Sequence, residues 1–173
     1  MTIETPRLTL CPLSLDELVL LTEDLPAAEA RLGLRYAAEP LDGHMKEAMA
    51  GQPAKIRAKP GALLWETFWM LALKAEPVII GSLCFKGPPD AGGAVEIGYG
   101  LGDGWRGCGY MAEAVAAAGA WALRQPGVQQ VVAETEQGNT PSENVLRRAG
   151  FTHTHNTAGC RWWLLEAVFK GEK

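Results

Sequence analysis

Apolar residues recur at two spacings along this chain, and the switches between the two mark its elements. From Arg7 to Leu13 they alternate (Leu8, Leu10), which predicts a short strand. Ser14 follows as an N-cap, with Glu17 placed to complete a capping box and open a helix. Residues 26–59 carry Ala, Leu, Glu, Lys and Arg with scattered Pro and Gly, the pattern of one or two further helices. Phe68 to Ala75 and Val78 to Lys86 are strands turning at Glu76-Pro77, and the Gly- and Pro-rich run from Gly87 to Gly93 is a loop before a strand from Ala94 to Leu101. The clearest helix is Met111 to Arg124, apolar at Met111, Ala114, Val115, Ala118, Trp121 and Ala122, and ended by Gln125-Pro126-Gly127. Val128 to Thr135 reads as a strand. Asn139 to Gly150 reads as a short helix with Thr140 as N-cap, Pro141 behind it, Glu143 closing a capping box, Arg147 and Arg148 in the last turn, and Gly150 as terminator. Phe151 to His155 and Arg161 to Phe169 are the closing strands.

Composition narrows the class. A chain of 173 residues with an apolar fraction of 47% is long enough to bury the core of one domain. The formal net charge of −4, with no Lys/Arg cluster, argues against nucleic acid as the main partner. Cys11, Cys84, Cys108 and Cys160 form no C-x-x-C pair and have no histidine nearby, so no metal site is expected and free thiols in a reducing compartment are. Cys108 sits in a glycine turn, where an exposed thiol can be reactive. No export signal follows Met1, and the most apolar stretch, Ala62 to Phe85, is interrupted by Glu66, Lys74, Glu76 and Pro77. A cytoplasmic protein that does not enter a membrane is expected.

The candidate chemistry centres on Trp105 to Glu113, W-R-G-C-G-Y-M-A-E, a glycine turn between a strand and a helix. Such a turn aims free N–H groups and the positive end of the helix dipole at one point, which suits a phosphate or pyrophosphate; the plainer reading is a tight turn. A dinucleotide fingerprint would need a third glycine where Ala112 stands and an acidic residue further on, and a Walker A loop would need G-K-[ST]; both are missing. What remains resembles the pyrophosphate loop of the GNAT superfamily of acyl-CoA-dependent N-acetyltransferases, [QR]-x-x-G-x-[GA], with Met111 standing where the family has Gly or Ala. Glu4-Thr5-Pro6-Arg7-Leu8-Thr9-Leu10 resembles the opening strand of the RimJ/RimL branch, which acetylates ribosomal-protein N-termini, although Cys11 replaces the usual Arg. Val95-Glu96-Ile97-Gly98-Tyr99 resembles the strand before the loop. Asn139-Thr140-Pro141-Ser142, then Val145-Leu146 and Gly150-Phe151, resembles that branch's N-x-x-S…V-L-x-x-x-G-F signature.

The resemblance implies a single α/β (α+β) domain over residues 1–173, with a mixed, mostly antiparallel twisted sheet of about six to seven strands flanked by helices. It implies acetyl-CoA as donor, held by Arg106, Gly107, Cys108, Gly109, Tyr110 and Met111, by the backbone of Ile97, Gly98 and Tyr99 on a strand bulged in the family, and by Asn139 and Ser142. Acetyl transfer needs an amine without its proton, and amines have pKa values of about 8 to 10.4. Glu96, opposite Ile97 on its strand, is the candidate base, directly or through a water; the alternative is a solvated strand glutamate. Many relatives carry a tyrosine acid where Leu146 stands here, so the resemblance turns to the branch's serine, Ser142, to stabilise the departing thiolate. Asn139 and Ser142 also read simply as helix-entry residues. Tyr99 and Tyr110 offer phenols but read equally as packing. Trp65, Trp69, Trp162 and Trp163 are core residues or an acceptor pocket, and His44, His153 and His155 form no motif, the last two sharing a strand face. The expected activity is direct acetyl transfer to a protein N-terminal α-amine or a small-molecule amine by a monomer or homodimer; the alternative is a non-catalytic acyl-CoA-binding sensor or complex subunit.

Overall fold

Strands with apolar side chains on both faces need a helical layer on each side, and the central strands of this chain are of that kind. The computed structural model describes residues 1–167. A hairpin of β1 (Ile3–Glu4) and β2 (Leu8–Pro12) leads into α1 (Leu15–Glu23), α2 (Leu25–Leu32), β3 (Arg35–Tyr36), α3 (Gly43–Ala50), α4 (Gln52–Ala58) and α5 (Leu63–Glu66). Then come β4 (Phe68–Leu73), β5 (Val78–Phe85), β6 (Ala94–Leu101), α6 (Tyr110–Ala122), β7 (Gln130–Glu136), α7 (Thr140–Arg148), β8 (Thr152–Thr157) and β9 (Cys160–Glu166). The strands lie in the order β1-β2-β4-β5-β6-β7-β9-β8, with β3 added to β5. All pairs are antiparallel except β6–β7 and β3–β5. This is the mixed, mostly antiparallel α/β architecture expected. The count among the described residues is nine strands, because β1 and β3 are two-residue pairings too short for a periodic signal.

All six residues of β4 are buried. Phe68 and Met70 join Leu13, Leu18, Leu21, Met49, Ile56 and Ile79 under α1–α4, whereas Trp69, Leu71 and Leu73 face the α6 side with Leu8, Leu10, Ile80, Phe85, Val95 and Ile97. Ala114, Ala118 and Ala122 of α6 are fully buried and let the helix lie close on the sheet. Trp121 packs at a tilt against Trp65 and Trp69, with ring centroids 5.0 Å apart in both pairs, and against Phe85 at 5.6 Å. Trp65 and Trp69 therefore belong to the core. So does Trp163, whose indole donates to Thr135 Oγ1 at 3.0 Å.

Local signals held where they were strictly local. Ser14 caps α1 and Glu17 returns the bond, as a capping box requires. In α7 the cap is Asn139, one residue before the expected Thr140, and its side chain accepts the Ser142 N–H at 3.2 Å. Glu143 closes no capping box. Its carboxylate is buried and takes Arg147 and Arg161, each at 3.0 Å, which ties α7 to β9. His153 and His155 do not share a face: a register shift at Thr154 pairs His153 with Trp163 and His155 with Trp162, so the two rings point to opposite sides. The expected bulge in β6 is absent, its register with β5 running unbroken from Ile97 to Leu101; the shift in this part of the sheet lies in the β4–β5 pair at Leu71/Ala72. The last strand ends at Glu166, and the expected continuation to Phe169 falls outside the described residues. Among the described residues no helix is long and apolar enough to cross a membrane.

Candidate active site

β6 and β7 pair only over Ala94–Glu96 and Gln130–Val132, after which β7 continues with β9 and β6 with β5. The sheet thus opens along Ile97 to Leu101. Lys86 N–H donates to the Glu96 carbonyl at 2.9 Å. Antiparallel alternation then turns the backbone of Gly98 and Gly100 toward β5, and that of Ile97, Tyr99 and Leu101 toward the opening. A cleft of about 440 Å³ lies there, walled by Tyr99 to Leu101, by the glycine turn and first turn of α6, by Asn139 and one face of α7, and by Glu39.

Gly107 (φ +80°) and Gly109 (φ +79°) both lie in the left-handed region that only glycine enters at no cost. Gly109 is the N-cap of α6, and no side chain caps the helix. Its first intrahelical bond runs from Glu113 N–H to the Gly109 carbonyl, 3.1 Å, so the N–H groups of Tyr110, Met111 and Ala112 have no helical partner. They open on the cleft with the positive end of the dipole behind them, an arrangement suited to an anion. Arg106 extends beside the loop, paired with Asp103 at 2.8 Å. Cys108 is exposed and its side chain is not part of the cleft wall.

Across the cleft the Tyr99 phenol lies 2.8 Å from Ser142 Oγ and 3.2 Å from the Ser142 carbonyl. Burial pushes the Tyr99 hydroxyl up to about 12, an effect that the bond from Ser142 only partly offsets. Leu146 is fully buried in the core. Ile97 also points into the core, so only its backbone reaches the opening. Glu96 is on the other face of β6, ion-paired with Lys86. Next to it Gly98 leaves bare strand beside Cys84 and Lys86. The structure thus brings together the loop, Tyr99, Asn139 and Ser142, and holds Glu96 apart from them across the sheet.

Four wall residues were not among the expected site residues: Glu39 and Asn144, which carried no sequence signal, and Val145 and Arg148, which were read only as part of the α7 pattern. The Glu39 carboxylate covers Gly100 so closely that a Cβ there would overlap it. Its segment is held by bonds from Trp105 Nε1 to the Ala37 carbonyl, 3.1 Å, and from the Tyr36 hydroxyl to the Glu39 carbonyl, 2.9 Å. The available hint was Gly100 itself, a strand glycine that marks close approach.

Residues 7–152 match the acetyltransferase (GNAT) domain family. The uncharacterized N-acetyltransferase YjdG of Bacillus subtilis is 32% identical over 96 residues, which are 56% of this chain; the match spans only 57% of that protein's length. Among solved structures, the ribosomal-protein-S5-alanine acetyltransferase of Vibrio fischeri superposes with a TM-score of 0.66 at 17% identity, covering 98% of both chains. RimJ of Mycobacterium smegmatis, solved with a CoA disulfide, superposes at 0.63 and 16% identity over 99% of this chain and 90% of its own. At such identities the superpositions show the shared fold. The family match extends over most of the chain, from the Arg7 strand through the loop to α7: this protein belongs to the GNAT acetyltransferases, whose enzymes take the acetyl group from acetyl-CoA.

Proposed function

We propose that residues 1–173 form one acetyltransferase domain that moves the acetyl group of acetyl-CoA directly to a primary amine, without an acyl-enzyme. The observation that carries this reading is the opening between β6 and β7 beside an uncapped helix N-terminus. Acetyl-CoA fits it: the N–H groups of Tyr110 to Ala112 would hold the pyrophosphate, and the free strand edge at Tyr99 would bond the amides of the pantetheine arm as a neighbouring strand does. Arg106, Gly107 and Cys108 shape the loop, and Asn139 fixes Ser142 through its cap.

Acetyl-CoA supplies a thioester as acyl donor. The amine nitrogen bonds to the acetyl carbon, the carbon–sulfur bond breaks, and the amine proton passes to Glu96 through water. The sulfur takes its proton from solvent while hydrogen-bonded in the cleft. A hydroxyl pushed up to about 12 is a weaker acid than a thiol and gives no net proton to a thiolate. The two hydroxyls share one bond in which either oxygen can donate; with Tyr99 as the donor, the serine hydrogen is free for that sulfur, and the pair stabilises charge without being ionised. Glu96 must leave Lys86, or work beside it, to act as base. That ion pair favours a second reading, a non-catalytic acyl-CoA-binding sensor or complex subunit.

For the acceptor, the likeness to enzymes named for ribosomal-protein N-termini supports a protein α-amine, with small amines as the other class. The acidic balance argues against nucleic acid as a partner, and the reading is completed by a cytoplasmic monomer or homodimer that takes no membrane as partner. Calorimetric titration with acetyl-CoA, followed by thiol release with peptide N-termini and small amines, tests the proposal. One donor per chain and release with at least one amine are expected. Binding with no release on any amine would make the chain a sensor, and no binding would overturn the site.

A further inference from the structure

The cofactor loop is gripped from behind by the other end of the chain. The turn between β1 and β2 wraps the carboxylate of Glu113, in the first turn of α6. Thr5 Oγ1 donates to Glu113 Oε1 at 2.7 Å, Arg7 N–H to the same oxygen at 2.8 Å, and Arg7 Nε to Oε2 at 2.7 Å. The Arg7 guanidinium then reaches the loop itself. It donates to the Cys108 carbonyl at 2.9 Å and lies 4.4 Å from the centre of the Tyr110 ring. A Cβ on Gly109 would meet Arg7 Nη2 at 3.6 Å. Arg7 is no part of the cleft wall, so these contacts act on the loop's outer side. Burial alone would raise the Glu113 carboxyl, but the bonds from Thr5 and Arg7 and the Arg7 charge outweigh it and hold the carboxyl below its ordinary value.

We propose that Arg7 is a positioning residue for the cofactor: by bridging Glu113 and the Cys108 carbonyl, it holds the glycine turn in the shape that aims the Tyr110–Ala112 N–H groups into the cleft. This rests on the reading of that turn as the acetyl-CoA pyrophosphate site. Only a forked donor serves, since one nitrogen is engaged by Glu113 and another by the loop carbonyl. Lysine keeps the charge and loses one of the two bonds.

The test compares the wild-type chain with Arg7→Met, Arg7→Lys and Glu113→Gln by calorimetry with acetyl-CoA, amine KM, and amide hydrogen exchange without ligand. Arg7→Met removes both guanidinium bonds; with part of that loss taken from folding stability, acetyl-CoA binding is expected to weaken by about tenfold, with amine KM unchanged. Arg7→Lys should fall between, and Arg7→Met with Glu113→Gln should lose little beyond either alone. Exchange at Cys108 to Met111 should quicken in Arg7→Met while the core of β4 and β5 stays protected. Unchanged exchange in that loop, or unchanged affinity where the wild type binds, overturns the role of Arg7 and leaves the site intact. A wild-type chain that binds no acetyl-CoA overturns the site and the role together. If Arg7→Met does not fold, Glu113→Gln carries the same comparison, because it removes the charge and the acceptor that Arg7 Nε uses while leaving one oxygen for Thr5 and the Arg7 N–H.

Discussion

Three glycines in one short segment separate backbone geometry from space. Gly107 and Gly109 have φ of +80° and +79°; a Cβ on Gly107 meets nothing within 4 Å, and one on Gly109 meets only Arg7 Nη2 at 3.6 Å. Gly104 also has open space around it but no positive φ. Alanine therefore clashes with nothing at all three positions, and any cost at 107 or 109 is conformational. Holding an L-residue left-handed costs about 1–2 kcal/mol. If the loop keeps its shape in the free protein, that amount is lost from folding stability. If the loop relaxes, it is lost from acetyl-CoA affinity instead, as about a five- to thirtyfold rise in Kd. The two losses should sum to about 1–2 kcal/mol for Gly107→Ala and for Gly109→Ala, and Gly104→Ala should stay within about 0.5 kcal/mol of wild type in both. Denaturant unfolding and calorimetric titration on the same preparations give both quantities. Gly109→Ala matching Gly104→Ala in both would refute the claim that the left-handed turn shapes the binding site.

Other expectations follow from the two sides of β6 and from the latch behind the loop. Glu96→Gln should lower kcat by about 10²- to 10⁴-fold while acetyl-CoA affinity holds; a kcat unchanged at every pH removes Glu96 as base. Tyr99→Phe should cost about 0.5–1.5 kcal/mol of stability and lower kcat about ten- to a hundredfold, and adding Ser142→Ala should do little more, because the two hydroxyls act as one unit. Non-additive losses in a double-mutant cycle support that, and fully additive ones refute it. The Glu113 carboxyl is lowered in the folded chain from 4.5, so its contribution to stability is present above that value and fades as pH falls through the lowered one. Unfolding curves between about pH 6 and about pH 3 should show wild type losing its advantage over Glu113→Gln at the acid end. An advantage constant over that range contradicts the assignment.

What the sequence revealed depended on how far apart the cooperating residues lie. Ser14 and Glu17 sit within one turn, and Met111 to Ala122 repeat the same spacing across a whole helix, so both elements were legible. The choice between Asn139 and Thr140 as cap was not, since either side chain suits the position and only the path of the entering chain selects Asn139. The bulge at Thr154 has no glycine to announce it, so strict alternation put His153 and His155 on one face. β3 exists only because Arg35 and Tyr36 find the start of β5, a pairing with no periodic trace. The glycine turn was visible because its residues are contiguous. The Tyr99–Ser142 bond, the Glu39 carboxylate over Gly100 and the Arg7–Glu113 bridge join distant segments, and even where one partner carries a signal, as Ser142 and Gly100 do, nothing in the sequence names the other.

The seam between β6 and β7 bears on how long the protein lasts. A strand edge that opens inside a sheet can take a further chain along it in place of water, and in the proposed function that chain is the donor's own amide arm. The bound donor then completes the fold as well as feeding the reaction. By mass action, a ligand at about a hundred times its Kd adds about 2.7 kcal/mol to a folded protein, a large share of what holds a domain of this size together. On that reading, resistance of the folded chain to unfolding and proteolysis rises with the concentration of acyl donor.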